Sequence, residues 1–253
     1  MRNVKLRASL LGVLGLGLLI LVWQLIITWL SSSVGLASAL SPLATLDSLI
    51  YLLQEPSLWG HVGASLLRVF VGLLGAIIIG VPIGFVVGAS SSMAQLTGPA
   101  FQFLRMISPL SWMPVVVMIL GIGNTPIYFL LTFAAVWPMI LNTAAGVKSI
   151  NPQWLELGRS LCATPTEMLF KIMLPAVFGH ILTGLRLAIG IVWVVLVPCE
   201  MLGVNEGLGY FILDTRDRLA YSELMGAIIL IGLIGWGLDS FTRYLNVYWK
   251  HNN

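Results

Sequence analysis

Apolar runs about as long as a bilayer is thick recur along this chain, and they constrain its fold more than any other feature. A membrane-crossing helix needs roughly 20 consecutive, mostly apolar residues. Six stretches qualify: 10–30, 66–88, 101–121, 126–146, 181–202 and 224–245. Of the 253 residues, 58% are hydrophobic and 9% charged, against roughly a quarter charged in a soluble domain. What lies between the runs leaves no room for an extramembrane domain. The expectation is an all-α, polytopic membrane helix bundle of about six transmembrane helices, with residues 1–253 forming a single domain. Pro109 and Pro114 interrupt the third run, a break that neighbouring helices accommodate inside a bundle.

Arg2, Lys5 and Arg7 precede the first run and Ala37-Ser38-Ala39 follows it, as in a cleaved signal peptide. The apolar stretch from Leu10 to Leu30 exceeds the ~7–15 residues of a signal core, so it reads as a retained membrane helix. With the N-terminus inside, the cytoplasmic side holds Arg2, Lys5, Arg7, Lys148, Arg159, Lys171, Arg243 and Lys250. Arg216 and Arg218 are then left in an outer loop, and the positive-inside rule puts both termini in the cytoplasm. Residues 31–65 and 203–223 become external, and the largest internal loop, 151–175, lies between the fourth and fifth spans.

The net charge of +3 comes from cations scattered between apolar runs, which excludes the dense basic patch of a nucleic-acid binder. Cys162 and Cys199 have neither disulfide-framework nor metal-ligand spacing. Gly80, Gly84 and Gly88 recur every four residues in the second span; they offer a smooth face for another helix, within the chain or in a second copy.

The polar loop reads NPQWLELGRSLCATPTEMLFKIMLP from Asn151. Asn151 suits a helix cap with Pro152 at the first position, and Trp154, Leu155, Leu157 and Leu161 follow at near-helical spacing. Thr164-Pro165-Thr166-Glu167 forms a second start with a capping box. The spacing predicts two short helices joined at a sharp turn, suited either to lipid headgroups or to docking a soluble partner.

This stretch resembles the cytoplasmic loop of bacterial binding-protein-dependent ABC importer permeases, whose motif runs Glu-Ala-Ala, three residues, Gly, nine residues, Ile-x-Leu-Pro. Glu156, Ile172, Leu174 and Pro175 fall at the matching positions. Leu157 and Gly158 replace the alanines, and Cys162 stands where the family has glycine. The segments RMISPLSWMPVVVMILGIGNTP from Arg105 and ILTGLRLAIGIVWVVLVPCEMLGVNEGLGYFILDTRD from Ile181 look like the permease branch for nitrate, sulfonate, taurine and bicarbonate. The resemblance covers most of residues 60–245.

It implies the transmembrane domain of a type I ABC importer in the bacterial inner membrane. The implied partners are a second permease copy, two cytoplasmic ATPase subunits and a periplasmic or lipid-anchored solute-binding protein. The chain lacks the Gly-x4-Gly-Lys-Ser/Thr phosphate loop, so it is expected to bind no cofactor, with ATP and Mg held by the partner ATPase. Glu156, Leu157, Gly158, Cys162, Ala163, Ile172, Leu174 and Pro175 are the candidates for ATPase coupling, Pro175 serving as a joint before the fifth span. Arg105, Ser108, Ser111 and Trp112 are candidates for an anion path, where cations and hydroxyls suit the solute. Glu200, near the outer end of the fifth span, is a candidate for pairing with an outer-loop arginine, either as a structural pair or as part of an external gate. For Arg186, inside the fifth span, snorkelling or headgroup contact is the favoured reading.

Two other function classes compete. Gly88-Ala89-Ser90 begins like an intramembrane serine protease site, but Ser91 takes the last glycine's place, and His61 and His180 lie outside or at the edge of spans. A stand-alone secondary carrier calls for internal repeats, and the two halves show no convincing one. A carrier for phosphite, phosphonate or another small solute within the same importer class remains the alternative substrate reading.

Overall fold

The computed structural model describes residues 2–31 and 35–252, and every regular element among them is helical. Five helices are long and apolar enough to cross a membrane: α1 (Arg2–Ser31), α3 (Pro56–Ala89), α6 (Asn124–Lys148), a continuous helical run Pro165–Gly203, and α11 (Tyr221–Asn252). The sixth candidate is a bent pair, Ser91–Met106 followed by Pro109–Leu120, with 83° between its arms. The side chains of Arg2, Lys5, Arg7 and Lys250, on which part of the orientation reading rests, lie outside the described residues.

The bend differs from the single interrupted run expected over 101–121, and its causes are local. Ser90 caps α4 (Ser91–Met106) by accepting a hydrogen bond from the Met93 N–H at 3.3 Å, so the helix starts ten residues earlier. Pro109 restricts Ser108 to an extended conformation, with ψ 129°, and the helix stops. A 3-10 turn over Pro109–Trp112 then leads into α5 (Met113–Leu120). Pro114 costs little there, because its missing N–H falls in the first turn.

The chain divides into two compact units. One comprises the residues up to Gly60 together with Phe211–Gly232. It contains α1, a 3-10 turn over Gly35–Leu40 and α2 (Pro42–Gln54), capped by the Ser41 hydroxyl. The Ser222 hydroxyl donates to the Ala39 carbonyl at 2.8 Å. Residues 31–65, expected as an external loop, thus hold α2 and the first turns of α3.

The other unit, His61–Tyr210 with Leu233–Asn253, is built around α6. This helix is buried along most of its length, with α9 (Leu174–Gly203) packed beside it. Val69, Ala76, Leu131, Met139, Val192 and Leu196 belong to one continuous apolar core. Glycines let α3 approach α6 closely. A Cβ on Gly80 would stand 2.7 Å from Met139 Cβ, and one on Gly84 or Gly88 would stand 2.6 Å from Thr143 or Val147 Cβ. The glycine ladder therefore serves packing within the chain.

Candidate functional site

Three features bring the chemistry-bearing residues together, all within the α6-centred unit. The first is the polar loop. Asn151 caps α7 (Pro152–Ser160), its side-chain oxygen accepting from the Gln153 N–H at 3.0 Å. Trp154, Leu157 and Leu161, three and four residues apart, are 59%, 49% and 73% exposed. They give the short helix an uncovered apolar stripe beside the exposed Glu156. Gly158 is the buried contact: a Cβ there would meet Ile172 Cδ1 at 2.7 Å and Met168 Cε at 2.8 Å. Ile172 thus packs directly against the turn of α7 that the loop motif marks.

Cys162 lies at φ 52°, the left-handed region that glycine enters at little cost. Its N–H donates to the Arg159 carbonyl, and the Ala163 N–H donates to the Gly158 carbonyl, both at 3.0 Å. This is a Schellman closure of α7, which satisfies carbonyls the helix end would leave bare. Ala163 forms the second of those bonds. The motif's glycine position therefore coincides with the residue that reverses the chain.

The capping box forms as expected. The Glu167 N–H donates to Thr164 Oγ1 at 3.3 Å, and Glu167 Oε2 accepts from the Thr164 N–H at 3.1 Å. Lys171 Nζ lies 3.0 Å from Glu167 Oε1. The second short helix, α8 (Pro165–Glu167), does not end there. It continues through a π-helical turn, Met168–Met173, straight into α9. Leu174, the first residue of α9, donates its N–H to the Leu169 carbonyl, five residues back. Pro175 has no N–H, and its ring crowds the Lys171 carbonyl, which accounts for the widened turn. The helix passes through Pro175 without a break, and the irregularity in its backbone is the π-turn just before it.

The second feature is a buried polar node around Glu200. Arg68 Nη1 donates to Glu200 Oε1 at 2.6 Å, with side chains 3% and 0% exposed respectively. The same carboxylate accepts from the Ser65 hydroxyl at 2.8 Å and the Gly209 N–H at 2.9 Å. Arg68 also donates through Nε to Asn124 Oδ1 at 2.9 Å and through Nη1 to the Glu206 carbonyl at 2.7 Å. The Leu208 N–H donates to Ser65 Oγ at 2.8 Å, and the Gly207 N–H to His61 Nδ1 at 3.1 Å. A buried pair holds only when its remaining lone pairs and protons are met, and here Ser65, Asn124, the turn after α9 and the start of α10 (Leu208–Asp217) supply the partners.

Glu200 therefore pairs with Arg68 of α3 and not with an outer-loop arginine. Among the described residues, Arg216 and Arg218 pair instead with Asp217, Asp214 and Glu223. Arg186 also departs from the favoured reading. It binds Asp239 of α11 at 2.8 Å, and Asp239 in turn takes Arg243 at 2.6 Å. Asp239 stands within reach on α11, and an ionisable group in a span pairs with a counter-charge where one is available. Sequence reasoning does not assign Arg68, Ser65 or Asn124 to a site, and it weighs His61 only as a protease base. The one available sign was Arg68 itself, a cation inside an apolar run, which demands a partner.

The third feature is the bent pair. Arg105, in the last turn of α4, lines two cavities of 310 and 400 Å³. Ser108 sits at the bend, its carbonyl accepting from the Ser111 N–H at 3.0 Å. Ser108 and Ser111 are exposed, and neither lines those two cavities. Trp112 packs on Phe133 with ring centroids 6.0 Å apart, and among the described residues its buried indole N–H has no hydrogen-bond partner. Ser90 and His180, the protease candidates, are used elsewhere, Ser90 as the cap of α4 and His180 beside the Ser149 hydroxyl at 3.2 Å. Among the described residues, no group of three or more His, Cys, Asp or Glu is placed to hold a metal ion.

Residues 76–248 match the family described as binding-protein-dependent transport system inner membrane component. The nitrate import permease of Synechocystis sp. is 31% identical over 91% of this chain and 85% of its own length. The bicarbonate transport system permease of Synechococcus elongatus is 34% identical over 95% and 89%, and the taurine transport system permease of Escherichia coli 30% over 91% and 85%. In fold, the chain resembles a subunit of the inward-facing MetNI methionine ABC transporter. The TM-score is 0.64 at 17% identity, over 78% of this chain and 99% of that one.

Proposed function

Since the chain belongs to the family of binding-protein-dependent transport system inner membrane components, we propose that it forms the translocation path of an ATP-driven importer for a small oxyanion. Nitrate, bicarbonate and sulfonates such as taurine are the solutes in view. The observation that carries this reading is its likeness, over nine-tenths of the chain, to permeases named for those three solutes. A membrane transport subunit of this family is not itself an enzyme. ATP and Mg belong, in this reading, to two cytoplasmic ATPase subunits, and a solute-binding protein delivers the anion from outside. A second copy of the permease completes the path, and both termini face the cytoplasm.

The loop 151–175 is the proposed coupling element. Trp154, Leu157 and Leu161 offer the ATPase an apolar stripe, and Glu156 offers a charge beside it. Gly158 against Ile172 and Met168 transmits motion of α7 to the π-turn, and Leu174 and Pro175 carry it into α9. Cys162 and Ala163 hold the reversal at the end of α7. Arg105 belongs to the path itself. Ser108, Ser111 and Trp112 shape the bend beside it, and the Glu200 node closes the outer end as a latch.

The test is ATP-dependent nitrate uptake into proteoliposomes holding the permease, its ATPase and its binding protein. Glu156→Lys should lower both ATPase copurification and uptake, uptake by about tenfold or more, with membrane insertion unchanged. If neither moves, the loop is not the coupling element. Gradient-driven uptake by this chain alone would make it a secondary carrier, and ATP-driven uptake of phosphonate alone would reassign the solute.

A further inference from the structure

Residues 56–155 contain no Asp or Glu. Their Lys and Arg residues are three: Arg68, Arg105 and Lys148. Arg68 is neutralised by Glu200, which comes from outside this stretch. Among the described residues, Arg105 and Lys148 form no ion pair, yet both line the same 310 Å³ cavity. A cation at the edge of an apolar bundle is costly without a counter-charge or water, so two on one wall, with no carboxylate in the lining, mark a place of uncompensated positive potential.

The wall is built by α4 and α6. Gln102, three residues before Arg105, adds an amide donor. Thr97 adds none, because its hydroxyl donates to the Met93 carbonyl at 2.8 Å. Trp137 supplies an aromatic side, and a second cavity of 400 Å³ opens on Arg105 and Trp137 with Asn142. Gly98 keeps the first cavity roomy, since a Cβ there meets nothing within 4 Å.

We propose that this recess is an oxyanion site, in which the Arg105 guanidinium, the Lys148 ammonium and the Gln102 amide hold the transported anion on its way through the permease. The planar fork of arginine matches two oxygens of a planar oxyanion, while lysine acts as a point charge. The absence of any carboxylate keeps the site open to anions of differing shape and closed to cations. The proposal rests on the importer reading above. An anionic lipid headgroup carries the same chemistry, so the test must separate the two sources.

Nitrate uptake by the complete importer is measured in vesicles of phosphatidylcholine alone and in vesicles with added phosphatidylglycerol, at matched amounts of inserted complex. Arg105→Gln and Lys148→Gln should each slow uptake about tenfold in both lipids, the loss of one charge-assisted contact. Arg105→Lys, which keeps the charge and loses the fork, should recover only part of the rate. Gly98→Leu, whose Cβ meets nothing within 4 Å and whose side chain adds bulk to the recess without altering charge, should slow uptake as well.

A defect confined to vesicles with phosphatidylglycerol would assign the cations to lipid and overturn the proposal. Unaltered uptake in the glutamine variants and in Gly98→Leu would also overturn it while leaving the importer reading intact. A wild-type complex that takes up none of nitrate, bicarbonate and taurine would overturn both.

Discussion

Cys162 holds a backbone conformation that costs a side-chain-bearing residue about 1–2 kcal/mol and glycine almost nothing. The cost is tolerated because the two Schellman bonds at 3.0 Å fix the turn. Cys162→Gly should relieve the strain and return part of the gain through the freer unfolded chain, a net stabilisation of the turn by about 0.5–1 kcal/mol. Amide hydrogen exchange at Ala163 reads it directly: exchange two- to fivefold slower is expected, and unchanged exchange would mean that the turn carries no strain. The motif alignment located this departure from glycine in the sequence, but only the dihedral angle explains it. The Arg68–Glu200 pair was half legible. Glu200 is a charge near the end of one apolar run and Arg68 a charge inside another, but their separation of 132 positions hides the partnership. No local pattern indicates which buried cation a buried carboxylate meets.

At the scale of elements, apolar length and spacing mark the long helices, because crossing a bilayer demands such runs. Capping chemistry located α7 and the Thr164 start, since Asn151, Pro152 and Glu167 act over three or four residues. What escaped was the continuity of backbone across prolines. Pro109 ends a helix and bends its neighbour by 83°, whereas Pro175 is absorbed in a π-turn and Pro138 lies inside α6. The same residue type gives three outcomes, set by where each proline falls: Pro109 follows the end of a helix, Pro175 follows a widened turn, and Pro138 lies in the middle of a long buried helix. The glycine ladder of α3 makes a sharper prediction. Gly84→Val would drive its Cβ to within 2.8 Å of the Ile140 carbonyl oxygen and 2.6 Å of Thr143 Cβ, and a backbone oxygen cannot step aside as a side chain can. A loss of about 1–3 kcal/mol is expected, seen as earlier heat-induced aggregation of the detergent-solubilised protein. Gly63→Ala, in open space on the same helix, should stay within about 1 kcal/mol of wild type.

For the whole molecule, the two cysteines provide a built-in test of orientation, because Cys162 is exposed and Cys199 is buried. A membrane-impermeant maleimide should label Cys162 in inverted inner-membrane vesicles and leave it unlabelled in intact spheroplasts. The reverse pattern would invert the proposed topology. The continuous run from Pro165 to Gly203 has a further consequence. One end touches α7 through Ile172, and the other carries Glu200. At about 1.5 Å per residue the 39-residue run is about 58 Å long, and apart from the π-turn near its start it offers no loop in which displacement can be stored. A rod of that kind leaves no slack for delay: in the proposed mechanism, whatever turns the end beside α7 reaches Glu200 within the same stroke, so that the opening of one side and the closing of the other would share a single clock.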